Sequence, residues 1–160
     1  MVKTFIDKTY SKKEFLEGAK QAIIHVSHLI SAGNFQALEG LIDSDVIAEI
    51  QRSYLQFSPE MKEEIAIKNK DIVRMHVYET GWNIKREGEK SIKTVEKTVL
   101  LHVFYKDLMN NRMQRLDFSK FLKLHQICNY RFIKDCSEDA TDGWTISKLN
   151  HFKIVDEDDD

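Results

Sequence analysis

The sequence predicts an α+β domain in which N-terminal helices pack on an antiparallel four-stranded sheet. Three observations carry that class. Apolar residues recur at helical spacing through the first half, and helix caps punctuate them. From Asp71 onward the chain turns rich in Val, Ile, Tyr and Trp and takes the spacing of strands. Helices first and strands afterwards, joined by polar links, put the helices on one face of an antiparallel sheet.

The first helix opens at Ser11-Lys12-Lys13-Glu14, a capping box whose serine and glutamate each satisfy a free backbone N–H. Phe15, Ala19, Ala22, Ile23, Val26, Leu29 and Ile30 then form one apolar stripe. Gly33 ends it, because glycine accepts the left-handed stop position cheaply. Gly18, inside the helix, costs roughly 1 kcal/mol against alanine, which a close approach to the sheet would explain. A short helix is expected over residues 34–42, with Phe35, Leu38, Leu41 and Ile42 inward. Another begins near Ser44 and buries Val46, Ile47, Ile50, Tyr54 and Leu55. Ser58-Pro59-Glu60 starts a further helix: a capping serine, a proline in the first turn and an acid at the positive end of the dipole.

The strands follow in order. Residues 71–85 form the first, with Val73, Met75 and Val77 on a core face opposite Arg74, His76 and Tyr78. Gly88 provides the turn, and residues 90–105 return beside it. After a polar connection over residues 107–119, strands are expected at 121–133 and 143–155. Trp144, Ile146, Phe152 and Ile154 alternate on one face of the last. The stretch from Val99 to Tyr105 is apolar on both faces, unlike a strand with one wet face, so something covers both sides. The chain's own folding over it is one explanation; a concave pocket or partner surface is the other.

With 160 residues, the chain fits a single domain over residues 1–155 followed by an acidic, solvated, disordered tail over residues 156–160. Those five residues are all acidic, and without them the body carries 24 basic and 21 acidic residues. That balance is too mild for direct nucleic-acid binding. Cys128 and Cys136 make no disulfide framework, and Cys128 reads as an inert strand residue. The six histidines are dispersed: His76, His102, His125 and His151 fall one to a strand, and His25 and His28 flank the first helix's stripe. No metal site is expected from such spacing. Phosphate-binding loops, dinucleotide fingerprints and nucleophile elbows are lacking, so no cofactor and no catalytic residue is assigned. The competing enzyme reading places Asp71, His76 or His102 as an acid or base in a sheet cavity. Lys85, Arg86, Lys90, Lys93 and Lys97, interleaved with Glu87, Glu89 and Glu96, read as a solvated hairpin, with contact to anionic lipid as the alternative.

The block Glu14-Phe15-Leu16-Glu17-Gly18-Ala19-Lys20-Gln21-Ala22 with His25-Val26-Ser27, the segment over residues 35–41, and Gly143-Trp144-Thr145-Ile146-Ser147-Lys148-Leu149 with His151 resemble the family of m-AAA protease-interacting proteins. The Gly88 hairpin sits where that family's hairpin sits, and the likeness spans nearly the whole chain. The resemblance implies a curved sheet and a cone-shaped, nuclear-transport-factor-2-like fold, shared with the C-terminal domain of the import motor's membrane-anchoring subunit and with a mitoribosomal large-subunit protein. It implies a non-enzymatic, chaperone-like adaptor in the mitochondrial matrix, peripheral to the inner membrane. The implied partners are the m-AAA protease and newly imported inner-membrane precursors such as the small essential subunit of the calcium uniporter. Inner-membrane lipid and the mitoribosome are further partners it admits. No secretory signal or Arg-rich presequence opens at Met1, so the address is implied by resemblance alone. On this picture Trp82, Phe104 and Tyr105 contribute to a client-binding surface at the mouth of an apolar cavity.

Overall fold

A computed structural model describes residues 12–105, 125–137 and 143–151. Helix α1 spans Lys12–Ser31, α2 Ser44–Tyr54 and α3 Pro59–Ile65, with single 3-10 turns at Gln36–Leu38 and Asn69–Asp71. Strands β1 (Ile72–Glu87), β2 (Lys90–Phe104), β3 (His125–Asp135) and β4 (Thr145–Asn150) pair antiparallel in the order β1-β2-β3-β4. The sheet is open and the helices pack against it, the α+β arrangement the sequence predicts. The expected start at Ser11, residues 121–124 of the third strand, Phe152 and Ile154 of the fourth, the polar connection and the acidic tail lie outside the described residues.

Each helix boundary has a local cause. Gly33 takes φ 73°, and the amide of Asn34 returns to the carbonyl of Leu29 at 2.9 Å, closing α1. Ser58 accepts the amide of Met61 at 3.2 Å ahead of Pro59, opening α3. The helix expected over residues 34–42 shrinks to one 3-10 turn, because Gly40 at φ 84° breaks it. The chain then runs extended, and Ile42 bridges Ile146 of β4. Extended backbone alternates its side chains, so Ile42 is buried while Leu41 is exposed, against expectation. Leu55 was also expected inside. Helix α2 ends at Tyr54, leaving Leu55 85 % exposed, and Phe57 takes the buried place instead.

The core joins the α1 stripe of Phe15, Ala19, Ile23, Val26 and Ile30 to Val99, Leu101 and Val103 of β2 and to Cys128, Tyr130 and Phe132 of β3. Each such large side chain contributes about 1.5–3 kcal/mol by leaving water. Phe15 makes an edge-on contact with Phe132 at 5.9 Å between ring centres and a tilted one with Trp144 at 5.0 Å. The C-terminal half of α1 is tied to the segment after α3. Ser27 is wholly buried; its hydroxyl accepts the amide of Ile67 at 2.9 Å and donates to the carbonyl of Ile24 at 2.8 Å. His28 donates from Nε2 to the carbonyl of Ile67 at 3.0 Å, so one member of the helical histidine pair is interfacial.

Gly18 departs from its expected role. It is exposed, and a Cβ there would meet nothing within 4 Å, so no close approach to the sheet accounts for it. Gly18→Ala should therefore stabilise the domain by about 0.5–1 kcal/mol, read as a rise in denaturation midpoint with unchanged slope. An unchanged or lowered midpoint would show that the glycine has a partner.

Strand β1 carries two bulges against β2, between Ile72 and Arg74 and between Val77 and Glu79. Each bulge inserts one unpaired residue, Val73 and Tyr78, and both are exposed. Met75 and Val77 lie on the core side as expected; Val73 does not, because the first bulge removes it from the alternation. The second bulge shifts parity for the rest of the strand, so that Thr80, Trp82, Ile84 and Arg86 fall on the helix side, opposite Lys97, Val95, Lys93 and Ser91. Gly88 takes φ 62° at the first position of the two-residue turn that closes the hairpin.

Candidate functional site

The three residues singled out as a partner-binding surface occupy three environments. Trp82 stands 51 % exposed on the helix side of the hairpin, across from buried Val95 and two residues before exposed Ile84. Phe104 lies half-buried on the opposite side of the sheet, where its ring stacks on His125 with centres 4.5 Å apart. Tyr105 is 5 % exposed and belongs to the core. The stretch from Val99 to Tyr105 is therefore two-sided in an unequal way. Val99, Leu101, Val103 and Tyr105 are buried toward the helices, while Leu100, His102 and Phe104 are half-covered on the far face. His102 Nε2 lies 3.0 Å from His125 Nδ1 there, and exposed Ile127 pairs with His102 across the strands.

Tyr105 enters a polar network that sequence reasoning did not anticipate. Its hydroxyl donates to Gln126 Oε1 at 2.8 Å and lies 3.3 Å from His151 Nε2. With that proton committed to Gln126, the oxygen of Tyr105 receives the Nε2–H of His151. His151 Nδ1 then accepts from the hydroxyl of Tyr130 at 2.5 Å. Gln126 Nε2 donates to the carbonyl of His151. A neutral imidazole satisfies every member, and burial pulls the His151 pKa down to about 4. Burial likewise raises the Tyr130 and Tyr105 hydroxyls well above the usual phenol range, with smaller contributions at Tyr105 from Cys128, Glu64 and Asp71. The Cys128 thiol is pushed by burial to about 12, far from a reactive thiolate. Both ring nitrogens of His151 are engaged by protein groups, so this network fastens the end of β4 to β2 and β3.

The residues offered for acid–base chemistry do not converge. Asp71 is buried beside the 3-10 turn, where Oδ2 accepts the amide of Lys68 at 3.1 Å and Oδ1 has no partner. His76 is exposed, and His102 lies on the far face of the sheet. Among the described residues no group of three or more His, Cys, Asp or Glu side chains is placed to hold a metal ion.

Comparison with known proteins adds a relationship to this geometry. No family model matches the chain, and no solved structure matches it. It is similar to the protein named "m-AAA protease-interacting protein 1, mitochondrial" from Rattus norvegicus and Mus musculus, at 25 % identity over 167 aligned positions in each case. The Homo sapiens protein of that name is 23 % identical over the same span. Each alignment covers 98 % of this chain and 56 % of the relative. The chain is a distant relative of these proteins. It spans about half the length of the curated relatives it matches. By their names these relatives are mitochondrial interacting proteins. No helix among the described residues of this chain is long and apolar enough to cross a membrane.

Sequence reasoning missed the Tyr105–His151–Tyr130 network because its members are distant in sequence. It also missed Ile84 as the neighbour of Trp82. The available signal was the short spacing of the two apolar residues ahead of Gly88, but their common face depends on the bulge at Tyr78.

Proposed function

We propose that this chain is a non-enzymatic binding domain of the mitochondrial matrix, peripheral to the inner membrane, that associates with the m-AAA protease. In this role it assists maturation and assembly of newly imported inner-membrane proteins, of which the small essential subunit of the calcium uniporter is one. The observation that carries the reading is the similarity to interacting proteins across 98 % of the chain. The site geometry supports it: the buried histidine is saturated by protein partners, whereas large apolar side chains stand exposed on the hairpin and the far face. Trp82 contributes to partner binding directly from the helix side of the sheet, and Phe104 from the opposite side. Tyr105 contributes from inside, by anchoring the strand end that presents Phe104.

The test is affinity recovery from mitochondria using the tagged chain, with immunodetection of the protease and of the uniporter subunit. Wild-type chain should recover both. Trp82→Ser and Phe104→Ser, shown to be folded by circular dichroism, should each reduce recovery by about tenfold, the effect of losing roughly 1.4 kcal/mol of binding. Equal recovery by both folded variants would remove these residues from the surface. Failure of wild-type chain to recover the protease would overturn the reading itself.

A further inference from the structure

The hairpin formed by β1 and β2 keeps the carboxylates of its strands on one face. On the helix side beyond the Tyr78 bulge lie Arg86, Lys93 and Lys97, together with Trp82, Ile84 and Val95, and no carboxylate. Glu79, Glu87 and Glu96 point to the opposite side together with Lys85 and Lys90, and Glu89 sits in the turn. In sequence these charges alternate and look neutral; the register leaves the helix side without an acid from either strand.

The same side of β1 continues into a shallow groove of about 430 Å³ between α1 and the strand. Leu16 and Met75 are its apolar residues, and Lys12, Lys13 and Lys20 outnumber the single Glu17. Strand β1 ends the sheet order, and among the described residues its outer edge pairs with no other strand. From Met75 to Ile84 the surface runs about 30 Å, the length of an extended segment of nine or so residues or a helix of about twenty.

We propose that the groove and the helix side of the hairpin form one docking surface for a segment of a partner protein that carries apolar anchors among acidic residues. Lys12, Lys13, Lys20, Arg86 and Lys93, set against the single Glu17, complement acidic side chains, while Lys97 holds its ammonium over the ring of Phe15 at 4.7 Å. Leu16, Met75, Trp82 and Ile84 provide the apolar places between them. A flat anionic membrane fits less well. Only the helix side is free of hairpin carboxylates, and a hairpin tip entering the headgroups would carry Glu87 and Glu89 with it beside Lys85 and Lys90. The inference rests on the reading of the chain as a protein-binding domain and names the chemistry of one partner.

The experiment uses the full chain and three fluorescein-labelled synthetic peptides followed by anisotropy. The first has Leu and Phe at helical spacing with Glu elsewhere. The second has Lys in place of Glu, and the third Ser in place of Leu and Phe. The first should bind, more weakly as salt rises, and the other two should bind at least about tenfold less tightly. Lys13→Glu combined with Lys20→Glu and Lys93→Glu, and separately Trp82→Ser, should each weaken the first peptide by about tenfold in folded protein. Equal binding of the Lys peptide, or wild-type affinity in both variants, overturns the proposal. So does sedimentation of the chain with phosphatidylcholine vesicles containing phosphatidylglycerol, if the same substitutions release it and the Glu peptide fails to bind. Loss of peptide binding with protease recovery intact rejects this surface alone. Peptide binding with the substituted variants impaired, even where wild-type chain recovers no protease, supports the surface and rejects only the named partner.

Discussion

Lowering the pH from neutrality to about 4 should destabilise the fold by about 3 kcal/mol through His151 alone. The ring titrates near 6.5 when the chain is unfolded but only at about 4 in the core. Between those values the unfolded chain binds the extra proton and the folded chain does not, so protonation draws the equilibrium toward unfolding. The contribution is intact above the unfolded value, falls steadily through the window, and changes no further below about 4. A second proton on the ring would also turn Nδ1 from acceptor to donor, and the hydroxyl proton of Tyr130 would lose its acceptor. Urea unfolding across this pH range, in wild type and in His151→Gln, isolates the effect. The variant should start less stable at neutral pH, since it loses the two tyrosine contacts, yet lose less on acidification. Parallel stability profiles for the two proteins would show that His151 takes up no proton on unfolding.

Truncating Leu101 to alanine should cost about 3 kcal/mol, within the range of roughly 2–5 for large core residues. Leu101 is wholly buried at the middle of the second strand, between Met75 and Cys128 on the paired strands and under the helices. Strands paired on both sides and helices above leave the site little room to collapse, so the cavity would persist. Leu100, next in sequence, lies on the far face and is only half-covered. Leu100→Ala should cost less than half as much. Chemical denaturation of both variants, with the slope monitored for loss of two-state behaviour, checks the contrast. Comparable losses would mean that the far face is packed as tightly as the core.

Much of the fold was legible because its signals are local. The stripe from Phe15 to Ile30 needed only helical spacing, and Gly33, Ser58-Pro59 and Gly88 act within one turn of where they stand. The errors fall where the deciding contact is remote. Leu41 points outward because residues near it pair with Ile146, more than a hundred positions away. Tyr105 was read as a surface aromatic because the groups that hold it, Gln126 and His151, arrive from two later strands. Of the candidate surface, Trp82 was visible as a large apolar residue in a charged hairpin. Its cationic surroundings were not, because alternation of charge along a chain says nothing about side until the register is known.

The bulge at Tyr78 decides which side chains the outer half of that hairpin presents on each side. A strand has only two sides, so every residue beyond the bulge owes its side to whether the count before it is odd or even. Were Tyr78 drawn into regular pairing opposite Thr98, the two sides of the strand beyond it would exchange: Glu79, Gly81, Asn83 and Lys85 would turn toward the helices, and Thr80, Trp82, Ile84 and Arg86 away. No side chain would change its identity. Deleting Tyr78 instead, with pairing otherwise kept, leaves every partner and every side in place, so the bulge is an uncounted residue that the strand must either exclude from its ladder or lose, if Trp82 is to keep its cationic neighbours.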